Sequence, residues 1–167
     1  MTSPPVRFQR NGYDVDLIGS QVAGEDCAGL PFDRDHEGHR GFQVSEITGK
    51  GLLVDWLREN PADMVTIQVT IHDASGDSRH LERGLGAPQV LAAYEVLLGQ
   101  MRESNPGIRI IVTQLIPVPA MDKQTGFTEA DLKDGIHPTP SGDVKIADRV
   151  YPALVAAIPS LDGIPES

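Results

Sequence analysis

Three short stretches of the chain combine side chains that suit acid–base or ligand-binding work. The first is Asp134-Gly135-Ile136-His137-Pro138. Proline disfavours the helical region for the residue before it, so His137 is held extended on a loop. A carboxylate three residues earlier can reach back to the imidazole Nδ1–H, where it would fix the tautomer and stabilise the imidazolium. That is an oriented general base delivered by one loop; a turn that merely brings an acid and a histidine close spells the same letters. The second stretch is Asp35-His36-Glu37-Gly38-His39-Arg40-Gly41, with Asp33 just before it. Its histidines and acids suggest a metal. However, only Glu37 and Gly38 separate the two histidines, and Gly38 opposes a helix that would present both rings on one face. A zinc-type motif is therefore disfavoured. A loop that brings backbone N–H groups close to a ligand fits better, and Gly41 permits the close approach. The third stretch is Thr70-Ile71-His72-Asp73, polar residues closing an apolar run. His72 either donates a hydrogen bond there or is a solvated loop histidine.

The elements that must position these residues follow from periodicity. Residues 13–19 alternate apolar and polar side chains and stop at Gly19, which predicts a strand. Residues 27–41 are rich in Gly, Asp and His and predict a loop. Residues 47–59 carry Leu52, Leu53, Trp56 and Leu57 at helical spacing and meet a stop at Asn60-Pro61. Residues 64–71 predict a buried strand. Residues 87–104 place Val90, Leu91, Tyr94, Leu97, Leu98 and Met101 on one helical face, and Asn105-Pro106-Gly107 turns the chain into a second apolar strand over 108–116. The last helix is predicted from Ser141 as N-cap, with Val144, Ala147, Val150, Tyr151, Leu154 and Val155 facing inward and a kink or shortening at Pro152. The alternation of strands and helices, with largely apolar strands, predicts an α/β protein with a mostly parallel sheet buried on both faces. Ligands of such sheets bind at the carboxyl ends of the strands. That directs attention to the loops after Ile18, after Ile71 and before the last helix.

The 167 residues suit one domain, and 40% hydrophobic content suffices for one core. A formal net charge of −10 disfavours nucleic-acid partners and a polybasic membrane anchor. No apolar run is long enough to cross a bilayer, and the first residues carry no secretory pattern. Cys27 is the sole cysteine, so it forms no internal disulfide and offers no zinc spacing; it reads as a small buried or half-buried side chain.

Taken in order, these segments resemble the conserved blocks of the SGNH (GDSL-type) hydrolases, and within them carbohydrate esterase family three, the acetyl xylan esterases. Val15-Asp16-Leu17-Ile18-Gly19-Ser20 is similar to that family's VDFVGS strand. Residues 35–41, followed by Phe42 and Ile47, resemble its DHEGHSGW loop. Residues 61–73 resemble its PDVVLLHIGTND strand, and residues 125–147 its closing block. The resemblance spans roughly residues 12–154. It implies a three-layer α/β/α fold with a mostly parallel, flavodoxin-like sheet, and ester hydrolysis on acetyl groups of carbohydrates. In that reaction a serine attacks the acetyl carbonyl, His137 takes its proton and Asp134 orients His137. The implied oxyanion hole uses the nucleophile's own N–H, a glycine N–H matched by Gly41, and an asparagine at the position of His72. No cofactor and no metal are implied; the partner is a small-molecule or polysaccharide ester. The family suggests an extracellular location.

The match fails in definite places. The family's serine lies in a Gly-Asp-Ser turn after a first strand, and only eleven residues precede Gly12. The first strand and the nucleophile block are therefore expected to be missing, leaving a single N-terminally incomplete domain. Thr70 and His72 replace glycine and asparagine, whereas Asp73 is kept. The step from Pro117 to Asp122 is short for the helix and strand start that the family places there. Gly76-Asp77-Ser78 spells the serine block in a foreign context; Ser78 as a relocated nucleophile is the minor reading, because such triplets are common by chance. The expectation is an esterase that is weak or inactive on its own. The alternatives are a non-catalytic descendant that binds carbohydrate or a protein partner, and a truncated gene product.

Overall fold

One parallel strand pair and the helices around it form the centre of the described structure. The computed structural model describes residues 4–24, 32–68, 87–113, 126, 128–133 and 137–158. Strand β3 (Met64–Ile67) and strand β4 (Arg109–Val112) run parallel in the register Met64–Arg109 to Ile67–Val112. Parallel neighbours need a long crossover, and helix α4 (Ala87–Ser104) lies in it. The Asn105-Pro106-Gly107 turn ends that crossover. Asn105 Oδ1 accepts from Gly107 N at 2.9 Å, and its Nδ2 donates to Ala62 O at 3.1 Å. One side chain thus shapes the turn and ties it to the start of β3.

The core lies between this strand pair and three helices: α2 (Val44–Gly49), α3 (Leu52–Glu59) and α4. Val90, Ala93, Leu97 and Met101 form the buried line of α4, meeting Val44, Ile47, Leu53, Leu57, Ile67 and Ile108. Tyr94 and Leu98 flank that line, but Leu91 is 64% exposed. It lies about 100° round the helix from Val90, which turns it away from the core.

Four expectations are corrected. Residues 13–19 are not a strand. They run without a ladder partner among the described residues, and Leu17 N donates instead to the Asp33 carboxylate at 2.6 Å. The ladder in this region is a two-residue antiparallel pair, β1 (Gln21–Val22) with β2 (Asp35–His36). The helix predicted over 47–59 is two helices, because Gly51 takes a φ of +67° between α2 and α3. A left-handed residue cannot continue a right-handed helix. The predicted stop at Asn60 holds. β3 is not buried on both faces: Ile67 is buried but Thr66 is exposed, and Val112 on β4 is 50% exposed. Finally, the last helix, α5 (Pro140–Ala157), is capped by Thr139 rather than Ser141. The Thr139 hydroxyl accepts from Gly142 N at 3.3 Å, and Pro140 opens the helix. Pro152 lies within α5, exposed, and does not end it.

Helix α1 (Pro4–Arg10) packs on α5. Phe8 meets Tyr151 at 5.4 Å between ring centroids, the Arg7 guanidinium lies over the Tyr151 ring, and Arg7 pairs with Asp148. Helix α5 also meets β4. The described elements are thus an α/β set with two small sheets. None of the described helices is long and apolar enough to cross a membrane.

Candidate functional site

His137 sits half-buried on a closed loop just before α5. The loop is drawn shut by two backbone bonds, Lys133 N to His137 O at 2.9 Å and Thr139 N to Asp131 O at 2.8 Å, around a Leu132–Pro138 bridge. At its base lies Asp131, only 3% exposed. One carboxylate oxygen accepts from Thr128 N (2.7 Å), Thr128 Oγ1 (2.9 Å) and Lys145 Nζ (2.7 Å). The other accepts from Ser141 Oγ at 3.0 Å. Lys145 also donates to Gly126 O at 2.6 Å. The Lys145 ammonium, aided by the Thr128 and Ser141 donors, holds the Asp131 carboxyl far below the usual carboxylate range; burial opposes this and loses. Both ends of the loop are therefore anchored on one ionised group. Asp131 was not among the expected site residues. Its signal is legible: Thr128-Glu129-Ala130-Asp131 has the spacing of a capping box, and the structure forms one at a short 3-10 turn.

The second cluster surrounds Gly41. Glu37 accepts from Ser20 N (2.9 Å), Ser20 Oγ (2.7 Å) and His39 Nε2 (2.6 Å). The His39 hydrogen bond and the two from Ser20 outweigh burial and lower the Glu37 pKa. The His39 ring lies flat against Trp56 of α3, 4.4 Å between centroids and 10° from parallel. It also meets Phe42 edge-on at 5.2 Å. Phe42 N donates to His39 O at 3.4 Å, which closes a turn whose third residue is Gly41 with φ +81°. That dihedral at that position is the requirement of a type II turn, and it selects glycine. Gly41 is exposed, and none of the described residues lies within 4 Å of where a Cβ would stand. His36 does not join Glu37: its Nδ1 accepts from Gly38 N at 3.0 Å. Asp33, His36, Glu37 and His39 are thus engaged with one another, with Ser20 or with the backbone. Among the described residues no group of three or more His, Cys, Asp or Glu could hold a metal ion.

Of the expected site residues, His137 and Gly41 are therefore placed on shaped loops. Asp134, His72 and Ser78 lie outside the described residues, as does Cys27. Gln43, which follows the Gly41 turn, is 5% exposed, and its Nε2 has no hydrogen-bond partner among the described residues.

No family model matches the chain, and no curated protein matches it in sequence. Solved structures do match. The crystal structure of a carbohydrate esterase family 3 protein from Talaromyces cellulolyticus aligns with a TM-score of 0.79 and 25% identity, covering 92% of this chain and 89% of that one. A serine-to-alanine mutant of an acetyl esterase, solved with an acetate ion, aligns with a TM-score of 0.79 and 24% identity, over 93% and 90% of the two chains. The chain therefore has the fold of these esterases, and the resemblance to the SGNH hydrolases and carbohydrate esterase family three carried by its motifs extends over nearly its whole length.

Proposed function

We propose that the chain is a carbohydrate esterase-like scaffold of the SGNH kind, acting on or recognising acetyl esters of a small molecule or polysaccharide. The observation that carries this reading is the near-complete structural match to two esterases, together with a built loop for His137 and a glycine turn at the matching position. In this reading His137 is the general base and Asp134 orients it. The Gly41 N–H is one donor to the carbonyl oxygen, and His72 stands where a second, side-chain donor belongs. A serine oxygen would bond to the acetyl carbon while His137 Nε2 takes the serine proton. The tetrahedral oxyanion would then collapse, expelling the sugar oxygen, which takes that proton; water would free acetate by the reverse roles.

The three-layer, flavodoxin-like sheet of the family has a first strand that ends in the serine turn, and we read that block as absent from these residues. Two features support this. Residues 13–19 match a family strand yet have no ladder partner among the described residues. Among the described residues β3 is paired along one edge only, with β4. Helix α1 then corresponds to the end of the helix that follows the serine block. The chain alone is expected to hydrolyse esters weakly or not at all, because the remaining groups give only residual catalysis without a nucleophile. The test is hydrolysis of p-nitrophenyl acetate by the wild type, His137→Ala and Ser78→Ala. Equal, background rates support the reading. Turnover lost in both variants would make Ser78 the nucleophile and overturn the absence.

A further inference from the structure

Gly41 can present its N–H usefully only if the turn that carries it is fixed in space. The φ of +81° sets where the N–H points; the ends of the turn, His39 and Phe42, set where it is. His39 is held from three directions: by Glu37 at 2.6 Å, by the face of Trp56 and by the edge of Phe42. Glu37 is in turn fixed by both donors of Ser20, at the end of the 13–20 segment. Two segments that are far apart along the route of the chain thus meet on one carboxylate. Their backbones are already in contact: a Cβ at Gly19 would stand 2.1 Å from the His36 carbonyl carbon.

We propose that Glu37 is a positioning residue for the Gly41 N–H, tying Ser20 to His39 at the head of the turn and so laying His39 on Trp56. What that N–H binds, an acyl or carboxylate oxygen, rests on the proposed function; the positioning itself does not. Charge-assisted hydrogen bonds to a shared carboxylate are among the stronger ones. Losing them frees a turn that has few other constraints, since Gly41 is exposed.

The experiment uses the full chain labelled with 15N, as wild type, Glu37→Gln, Glu37→Ala and, as a control on the exposed side of α4, Glu103→Ala. Two quantities are read: the backbone order parameter of Gly41, and the dissociation constant of acetate from the Gly41 amide shift. Emission of Trp56, the one tryptophan, reports the His39 stack. The wild type and Glu103→Ala should show Gly41 near the rigid value of about 0.85, falling below about 0.6 in Glu37→Ala. Leu97 and Met101 should stay rigid throughout. Acetate should bind at least about tenfold more weakly to Glu37→Ala. Glu37→Gln, which keeps an oxygen acceptor, should recover part of both. An unchanged Gly41 in a folded Glu37→Ala overturns the proposal. If Glu37→Ala loses the rigidity of α4, Glu37→Gln decides: unchanged Gly41 order and Trp56 emission there overturn it equally. If the wild-type Gly41 amide ignores acetate while its order still depends on Glu37, positioning stands and the functional assignment of that N–H falls.

Discussion

Gly19→Ala places a Cβ where the structure already has backbone. The new carbon would lie 2.1 Å from the His36 carbonyl carbon, 2.2 Å from its oxygen and 2.5 Å from Glu37 N. Carbon atoms rest at about 3.5 Å, so the two segments must separate by about 1.4 Å. The neighbour is backbone, not the flexible tip of a side chain, so it cannot swing aside. Overpacking of this kind costs about 1–3 kcal/mol. The φ of +152° at Gly19 adds about 1–3 kcal/mol for a residue with a Cβ. The total, about 2–6 kcal/mol, is a large part of the roughly 5–15 kcal/mol that holds a domain folded. Gly12→Ala is the matched control. Gly12 has φ +73° with nothing within 4 Å of a Cβ, so it should cost about 1–2 kcal/mol for the left-handed backbone alone. Urea unfolding separates the two. With a slope of about 2 kcal/mol/M, the contact should move the Gly19→Ala midpoint about 0.5–1.5 M below that of Gly12→Ala. Trp56 emission before unfolding should also change in Gly19→Ala only, because separating Ser20 from Glu37 loosens His39. Equal midpoints with equal emission would refute the close approach of the 13–20 segment to the Gly41 loop.

Other outcomes follow from the packing and the charges. Leu97→Ala, at a position 2% exposed in the core, should lose about 2–5 kcal/mol in the same unfolding assay. Pro152→Ala should stabilise, because α5 carries the proline in its interior without a break; restoring a backbone donor in an exposed helix should gain up to about 3 kcal/mol, and a lower midpoint would contradict this. Asp131 and Glu37 both have lowered pKa values. Their stabilisation is therefore complete above the unfolded carboxylate range near pH 4 and is lost as pH falls through the folded values. Wild-type stability should drop between about pH 5 and pH 2, and Asp131→Asn should flatten that drop; parallel curves would contradict the assignment.

Much of the frame is legible in the residues themselves. The buried line of α4 follows from apolar residues spaced three and four apart, and the parallel pair from two short apolar runs separated by a helix-length crossover. The His137 loop is legible from one proline. What escapes the sequence depends on partners. Residues 13–19 alternate as a strand should, but a strand exists only where a neighbour completes its ladder, and Asp33 takes the Leu17 N–H instead. Thr66 and Val112 sit in apolar-looking runs and are exposed, because burial belongs to the layer above a strand and not to the strand. The break at Gly51 and the cap at Thr139 are local, yet several neighbouring glycines and hydroxyls compete for each role. In the Gly41 region composition suggests metal ligands, whereas the geometry pairs Glu37 with Ser20 and His39, a contact across some twenty residues that no short motif encodes.

In the proposed function His137 and the Gly41 turn would serve a serine that these residues do not supply. The most direct measurement joins a strand ending in a Gly-Asp-Ser turn, as the SGNH resemblance implies, ahead of Pro4 and follows p-nitrophenyl acetate hydrolysis. Background rates are expected from the chain alone, and turnover from the joined protein that His137→Ala abolishes. Robust hydrolysis by the chain alone, or a folded joined protein whose activity ignores His137, would contradict it.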